Sequence, residues 1–348
     1  MKTSSNTTQG SITLTQPSLT SKLGQIGLTL AITAAFCGLV LSTPSIAQAQ
    51  TDASNATIEH PGWVHVPGEL VRPDCVHEIP NGAKIEVANG QITGDVTLNG
   101  SLVAHYDACS EDAVITRPRH EHGGTSGITA TTFAGGWVEA AQWNVSLSSS
   151  DNIDLMYGFW TVPPAPSHNG GLIYLWNGLE DSSEYWVLQP VLQYGENEQQ
   201  FGGNYWVIAS WLVGPNGYIF HSPPEKVNPG DDIFGYTEIT GTSGSTLDWK
   251  VNAEDLTTGA YSWITATSSG LHWDWAFGAV LEAYNATSCS QFPSNGQTVF
   301  NDFGPYHGFP DYESISPLGW YGKHYDWVEG PDCGFKIGLN GETMTLSF

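Results

Sequence analysis

Two extended runs, Trp186 to Gly195 (WVLQPVLQYG) and Phe277 to Asn285 (FGAVLEAYN), each set one chemically able group among apolar neighbours: Gln189 in the first and Glu282 in the second. Alternation along a strand puts Val187, Gln189, Val191 and Gln193 on one face, with Leu188, Leu192 and Tyr194 on the other. In the second run Val280, Glu282 and Tyr284 share a face, and Phe277, Ala279, Leu281 and Ala283 share the opposite one. If the two strands are near neighbours in one sheet, a carboxyl group and a side-chain amide meet above it. A glutamate in apolar surroundings suits a general base working below neutral pH. An amide opposite can hold the attacking water and donate to an oxyanion, and glutamine stays neutral in acid. The plainer alternative makes both residues the solvent-facing positions of amphipathic strands.

Other chemistry has little footing. The sequence holds no GxSxG, no HExxH, no phosphate-cradling loop and no GxGxxG after a strand. His120-Glu121-His122 lies in a polar, glycine-rich stretch and reads as solvated rather than as a metal site. His272-Trp273-Asp274-Trp275 sets a histidine beside a carboxylate, but in a pattern that fits a loop edge with packing aromatics. No metal or cofactor is expected.

The elements that must position the two groups are β-strands. Gly 40, Pro 20 and 12% aromatic residues mark a turn-rich β protein, and strand patterns recur at short intervals from Trp137 to Tyr284. With no helical stretch between them, the expected fold is all-β, a two-sheet antiparallel sandwich of the jelly-roll, lectin or glucanase kind. The first 49 residues carry Lys2 and Lys22 but no acid, then an apolar run, Leu28 to Leu41, and the small-residue pattern Ala47-Gln48-Ala49. This reads as a signal peptide over 1–49, so the remainder is expected to be secreted, extracellular or periplasmic, and not membrane-bound. Residues 50–127 read as a small N-terminal β module or prosegment with a linker, and 128–348 as the sandwich. The module could lie across an acidic site as an inhibitor or be a permanent part of the fold.

Setting aside Cys37 in the leader, Cys75, Cys109, Cys289 and Cys333 remain, an even number in an oxidising compartment. Three connectivities are open, and Cys75 with Cys109 and Cys289 with Cys333 closes each pair within one region. Without Lys2 and Lys22, eight of the ten basic residues face all 35 acidic ones. The imbalance comes from missing Lys and Arg rather than surplus carboxylate. It fits acid surroundings, where self-repulsion eases, and leaves little positive charge for nucleic acid. A monomer acting on polypeptide is expected.

From about Phe159 to Phe303 the chain resembles the glutamic peptidases, the eqolisin family. The matching pieces are FWTVP (Phe159 to Pro163), YLWNGLE (Tyr174 to Glu180), VLQ (Val187 to Gln189), YWVIASW (Tyr205 to Trp211), PGDDI (Pro229 to Ile233), DLTTG (Asp255 to Gly259) and AVLE (Ala279 to Glu282). The resemblance implies acid-acting peptide hydrolysis by a Gln189–Glu282 dyad, with Trp176 as an aromatic wall beside it. Trp206 and Trp211 are further candidates for lining a substrate groove. The chain departs from the family pattern at Pro190 and Val191, where threonine and glycine are usual. Gln193, four residues on and on the same face, competes for the glutamine role.

The rival reading is carbohydrate recognition or cleavage. A glycosidase would need a second carboxyl group facing Glu282, with Glu180, Glu184 or Glu238 as candidates. A third reading is a non-catalytic secreted binding protein.

Overall fold

The structure, a computed structural model, describes residues 62–88, 91–110, 114–116, 135–148, 151–197, 201–315, 319–325, 331–341 and 343–348. The expected leader, the polar linker with His120 and His122, and the Asn89-Gly90 turn lie outside the described residues. No α-helix occurs among the described residues, and none therefore is long and apolar enough to cross a membrane.

Two large sheets form the sandwich. The front sheet runs in the order Tyr321–His324, Gly135–Asn144, Trp273–Tyr284, Leu172–Asp181, Val187–Glu196, Gly202–Val213, Ile219–His221, Val76–Glu78. The back sheet runs Lys336–Asn340, Thr343–Ser347, Gln297–His307, Leu155–Thr161, Asp232–Ser243, Thr246–Asp255, Tyr261–Ser269, Lys84–Ala88, Gln91–Leu98, Ser101–His105. Alternation decides what lies between them. Ile173, Leu175, Leu192, Ala279 and Leu281 of the front sheet pack on Trp160, Ile233, Phe300 and Leu346 of the back.

The N-terminal segment is stitched into this architecture. Val76–Glu78 pairs in parallel with Ile219–His221, and Lys84–Ala88 pairs in parallel with Tyr261–Ser269. These two junctions depart from the antiparallel pairing expected throughout. They follow from strands of the N-terminal segment being laid against edges of sheets built largely by later sequence. A short third sheet, Val64–Val66, Glu69–Val71 and Val114–Thr116, shares no ladder with either but packs on the outer face of the front sheet.

Two disulfides form, Cys75–Cys109 and Cys289–Cys333, spanning 34 and 44 residues. Loops of this length stabilise mainly by restricting the unfolded chain, by roughly 4 kcal/mol each in the chain-entropy account. Replacing Cys289 and Cys333 together by alanine is expected to lower unfolding free energy by about 2–4 kcal/mol in a denaturant titration. A loss below about 0.5 kcal/mol would mean the bridge adds nothing to the packing of Phe292 on Phe335 and Phe348 beside it.

Candidate active site

Glu282 lies on the face of the front sheet that looks away from the sandwich core, and it is fully buried. Its Oε1 accepts a hydrogen bond from Trp176 Nε1 at 2.7 Å. Its Oε2 accepts from the Tyr284 hydroxyl at 2.9 Å and from the backbone N–H of Gly68 at 2.7 Å. Donors therefore meet both oxygens, which is how a buried carboxylate is tolerated.

Register explains the grouping. Tyr174 is paired with Glu282 on one side and Gln193 on the other, and Glu282 is paired in turn with Trp137. Trp137, Glu282, Tyr174 and Gln193 therefore form one cross-strand row. The next row along holds Val280, Trp176 and Val191. Residues directly opposite one another share a face, so the Trp176 indole stands one row from the carboxylate and reaches it.

Gln189 shares this face but not this place. It pairs with Trp211, and the constant register between Trp176 and Leu179 sets Gly178 opposite it. A Cβ at Gly178 would meet Leu188 O and the Gln189 backbone, so only glycine lets the two strands close here. Gln189 is thus four residues further along its strand than Gln193, about 13 Å at strand rise. The structure does not bring its amide beside Glu282. Pro190 lacks a ladder donor and so suits an edge or bulge, yet it sits inside the sheet opposite Asn177, with Ser210 on its other side. Both Gln189 Oε1 and Gln193 Oε1 are buried without a hydrogen-bond partner among the described residues. The Gln193 amide donates to Gly195 O at 2.9 Å and Phe201 O at 3.0 Å.

The other expected residues divide. Trp176 joins the site. Trp211 lies on the same face, buried against Phe201 at 5.7 Å and His221 at 4.7 Å. Trp206 packs with Tyr194 at 5.1 Å between the two sheets, so its ring belongs to the core and lines no groove. Phe277 was expected opposite Glu282, yet it stands on the Glu282 side, 5.4 Å from Trp176. A bulge between Phe277 and Ala279 resets the alternation. A Cβ at Gly278, within the bulge, would meet the thioether end of Met344, which would have to shift to admit it.

Sequence reasoning allowed the N-terminal module to lie across the site but did not single out the hairpin that contacts Glu282. Val66-Pro67-Gly68-Glu69 closes a two-residue hairpin. Proline fixes the first central φ, and Gly68 takes a φ of 83° that a side chain would resist. That turn aims the Gly68 N–H at Glu282. Val64, Val66 and Val71 are fully buried on the same face as Tyr174, Trp176 and Tyr284. The His65 ring stacks on Tyr284 with centroids 4.4 Å apart, and the His65 carbonyl accepts from the Tyr174 hydroxyl at 2.9 Å. Burial, with Glu282 adding to it, pushes the Tyr174 phenol well above its usual value, so the hydroxyl keeps its proton to donate.

Trp176→Phe keeps an aromatic ring but leaves a gap where the second ring of the indole packed, and it removes one donor from a buried oxygen. It is expected to cost about 1–3 kcal/mol of stability, read by chemical denaturation, and a neutral result would show that Oε1 gains nothing from the indole.

Among the carboxyl groups weighed for a sugar-cleaving pair, Glu180 is buried and pairs with Trp275 and Val187. It lies six residues along the strand from the position opposite Glu282, about 20 Å at strand rise. That exceeds the spacing of roughly 5 to 9.5 Å that glycoside hydrolysis uses. Glu238 is on the back sheet.

No protein-family model matches the sequence, and no curated protein matches it. Among solved structures the chain is similar to scytalido-glutamic peptidase bound to a transition-state analogue inhibitor, with a TM-score of 0.42 and 17% identity. A second structure of scytalido-glutamic peptidase, with a peptide-based transition-state analogue, gives 0.42 and 16%. SCP-B, a member of the eqolisin family of peptidases in complex with the tripeptide Ala-Ile-His, gives 0.40 and 17%. Each match covers 62% of this chain and 100% of the other.

Proposed function

We propose that this chain is a secreted, acid-acting endopeptidase in which Glu282 is the general base and a glutamine of the same face steadies the oxyanion. The observation that carries the reading is a buried glutamate held by Trp176 Nε1 and Tyr284 Oη with a backbone N–H of another segment seated on it. A carboxylate that binds a peptide N–H at 2.7 Å is placed to take a proton from water and return it to a leaving amine. Of the two glutamines, Gln193 shares the Glu282 row; its buried Oε1 can accept from the attacking water, and it donates to the oxyanion by exchanging one of its amide bonds to Gly195 O or Phe201 O.

In this reading the covering hairpin holds the site closed until it is displaced. Water attacks the peptide carbonyl as Glu282 accepts its proton; the C–N bond breaks as Glu282 passes that proton to the nitrogen. Trp176 and Tyr284 keep the carboxylate oriented through both transfers.

The test is digestion of an unfolded protein between about pH 2 and 6, the interval in which glutamate side chains change charge. Wild type is compared with variants at Glu282, Gln193 and Gln189. Equal cleavage by all of them would assign the activity to a contaminant. No cleavage by wild type at any pH in the range would leave a non-catalytic protein whose Glu282 serves to anchor the hairpin.

A further inference from the structure

We propose that the Tyr284 ring, with the Tyr174 hydroxyl beside it, is a substrate subsite for a flat side chain, aromatic or imidazole, and that His65 is its resident occupant. This rests on the peptidase reading of Glu282 and adds which peptides the site prefers.

Three contacts hold the segment His65 to Gly68 against the site. The Tyr174 hydroxyl donates to the His65 carbonyl at 2.9 Å, the Gly68 N–H donates to Glu282 at 2.7 Å, and the His65 imidazole lies on Tyr284 at 4.4 Å and 26°. The first two use main-chain groups, which every peptide carries. Only the third reads a side chain. Main-chain contacts fix an incoming strand in register, and the ring contact then discriminates among sequences.

The two tyrosine rings are packed against each other. Tyr284 and Tyr174 are buried, their rings 6.0 Å apart and nearly edge to face. Tyr284 is also tied through its hydroxyl to Glu282. A ring that stacks correctly on Tyr284 therefore bears on the group that orients the base. The subsite lies three residues before the residue whose nitrogen meets Glu282, the spacing of His65 from Gly68.

The experiment maps cut sites in unfolded protein digests by mass spectrometry for the full chain and for Tyr284→Phe, Tyr284→Leu and His65→Ala. Wild type should enrich Phe, Tyr, Trp or His about threefold to tenfold at one fixed position, the third residue before the one that supplies the new amine, as expected for one ring pair. Tyr284→Phe keeps that enrichment. Tyr284→Leu, which also takes a donor from Glu282, cuts more slowly and loses the enrichment among the sites it does cut. His65→Ala removes the competing ring and should raise the initial rate on ring-bearing sites about threefold without changing the preference.

Cutting by wild type without ring enrichment overturns the subsite and leaves the peptidase intact. So does enrichment that survives in Tyr284→Leu. If Tyr284→Leu does not fold, an unchanged rate in His65→Ala overturns the subsite instead. Absence of cutting in wild type rejects the peptidase reading and the subsite with it.

Discussion

Glu282→Gln should reduce peptide hydrolysis by about 10²–10⁴-fold, the range for loss of a positioned proton-transfer group. The substitution is close to isosteric. Its carbonyl can still accept from Trp176 while its NH2 faces the Gly68 N–H, so the hairpin contact is lost but the row of Trp137, Tyr174 and Gln193 should keep its packing. The measurement is an initial rate at acid pH on samples matched for folded fraction by thermal unfolding. Gln193→Ala is expected to cost about 10²-fold, through loss of its Oε1 as a water acceptor and of the amide hydrogen it exchanges from Gly195 O or Phe201 O to the oxyanion, with Gln189→Ala remaining within about threefold because its row lies away from that of Glu282. The reverse order would move the amide's role to Gln189 and require its strand to slide by four residue positions against Leu172–Asp181. Activity retained in Glu282→Gln would remove the base from the mechanism.

The second large effect concerns stability against pH. Glu139 is fully buried on the strand beside Leu281, and neither of its oxygens has a hydrogen-bond partner among the described residues. The His324 ring nitrogen Nδ1 lies 3.8 Å from Oε2. Burial pushes the Glu139 carboxyl up to about 8 from an ordinary 4.5. The folded state therefore holds this proton more tightly than the unfolded chain. The stabilisation is complete below about pH 4.5 and is lost as pH rises towards 8.

At 1.36 kcal/mol per unit, the loss by pH 8 is about 2–5 kcal/mol, the upper end applying if no water reaches the ionised group. Glu139→Gln should recover most of that at pH 8 and change little at pH 4. Urea titrations at the two pH values read this directly, and equal stability of the wild type at both would contradict it. Asp154, Asp181, Glu238 and Asp274 are also raised by burial and act with the same sign. His77 and His221 oppose them. Burial lowers each to about 4, so their contribution is present above about 6.5 and is lost as pH falls through 4.

How much of this was legible in the sequence depends on the range of the interaction. The strand runs around Glu282, Trp176 and Gln189 could be read because a period of two decides burial locally. Tyr284 could be placed on the Glu282 face by the same rule, and the two disulfides join the cysteine pairs expected from proximity along the chain. Register could not be read, and it decides between Gln193 and Gln189. It emerges from Gly178 closing on Gln189 and from the bulge at Gly278, both tertiary fits. The hairpin over Glu282 was hidden for a different reason. Pro67-Gly68 announces a turn, but nothing in a turn says which carboxylate, 214 residues away, its N–H will meet.

The hairpin's attachment sets how any rival ligand must compete. Glu69–Val71 leads directly into Cys75, which is bonded to Cys109, and then into Val76–Glu78 within the front sheet. Such a short covalent leash gives a local concentration on the order of millimolar at the carboxylate, however dilute the protein. Occupancy by the hairpin is thus unimolecular and blind to protein concentration, and an untethered peptide must overcome that advantage or wait for the leash to be cut.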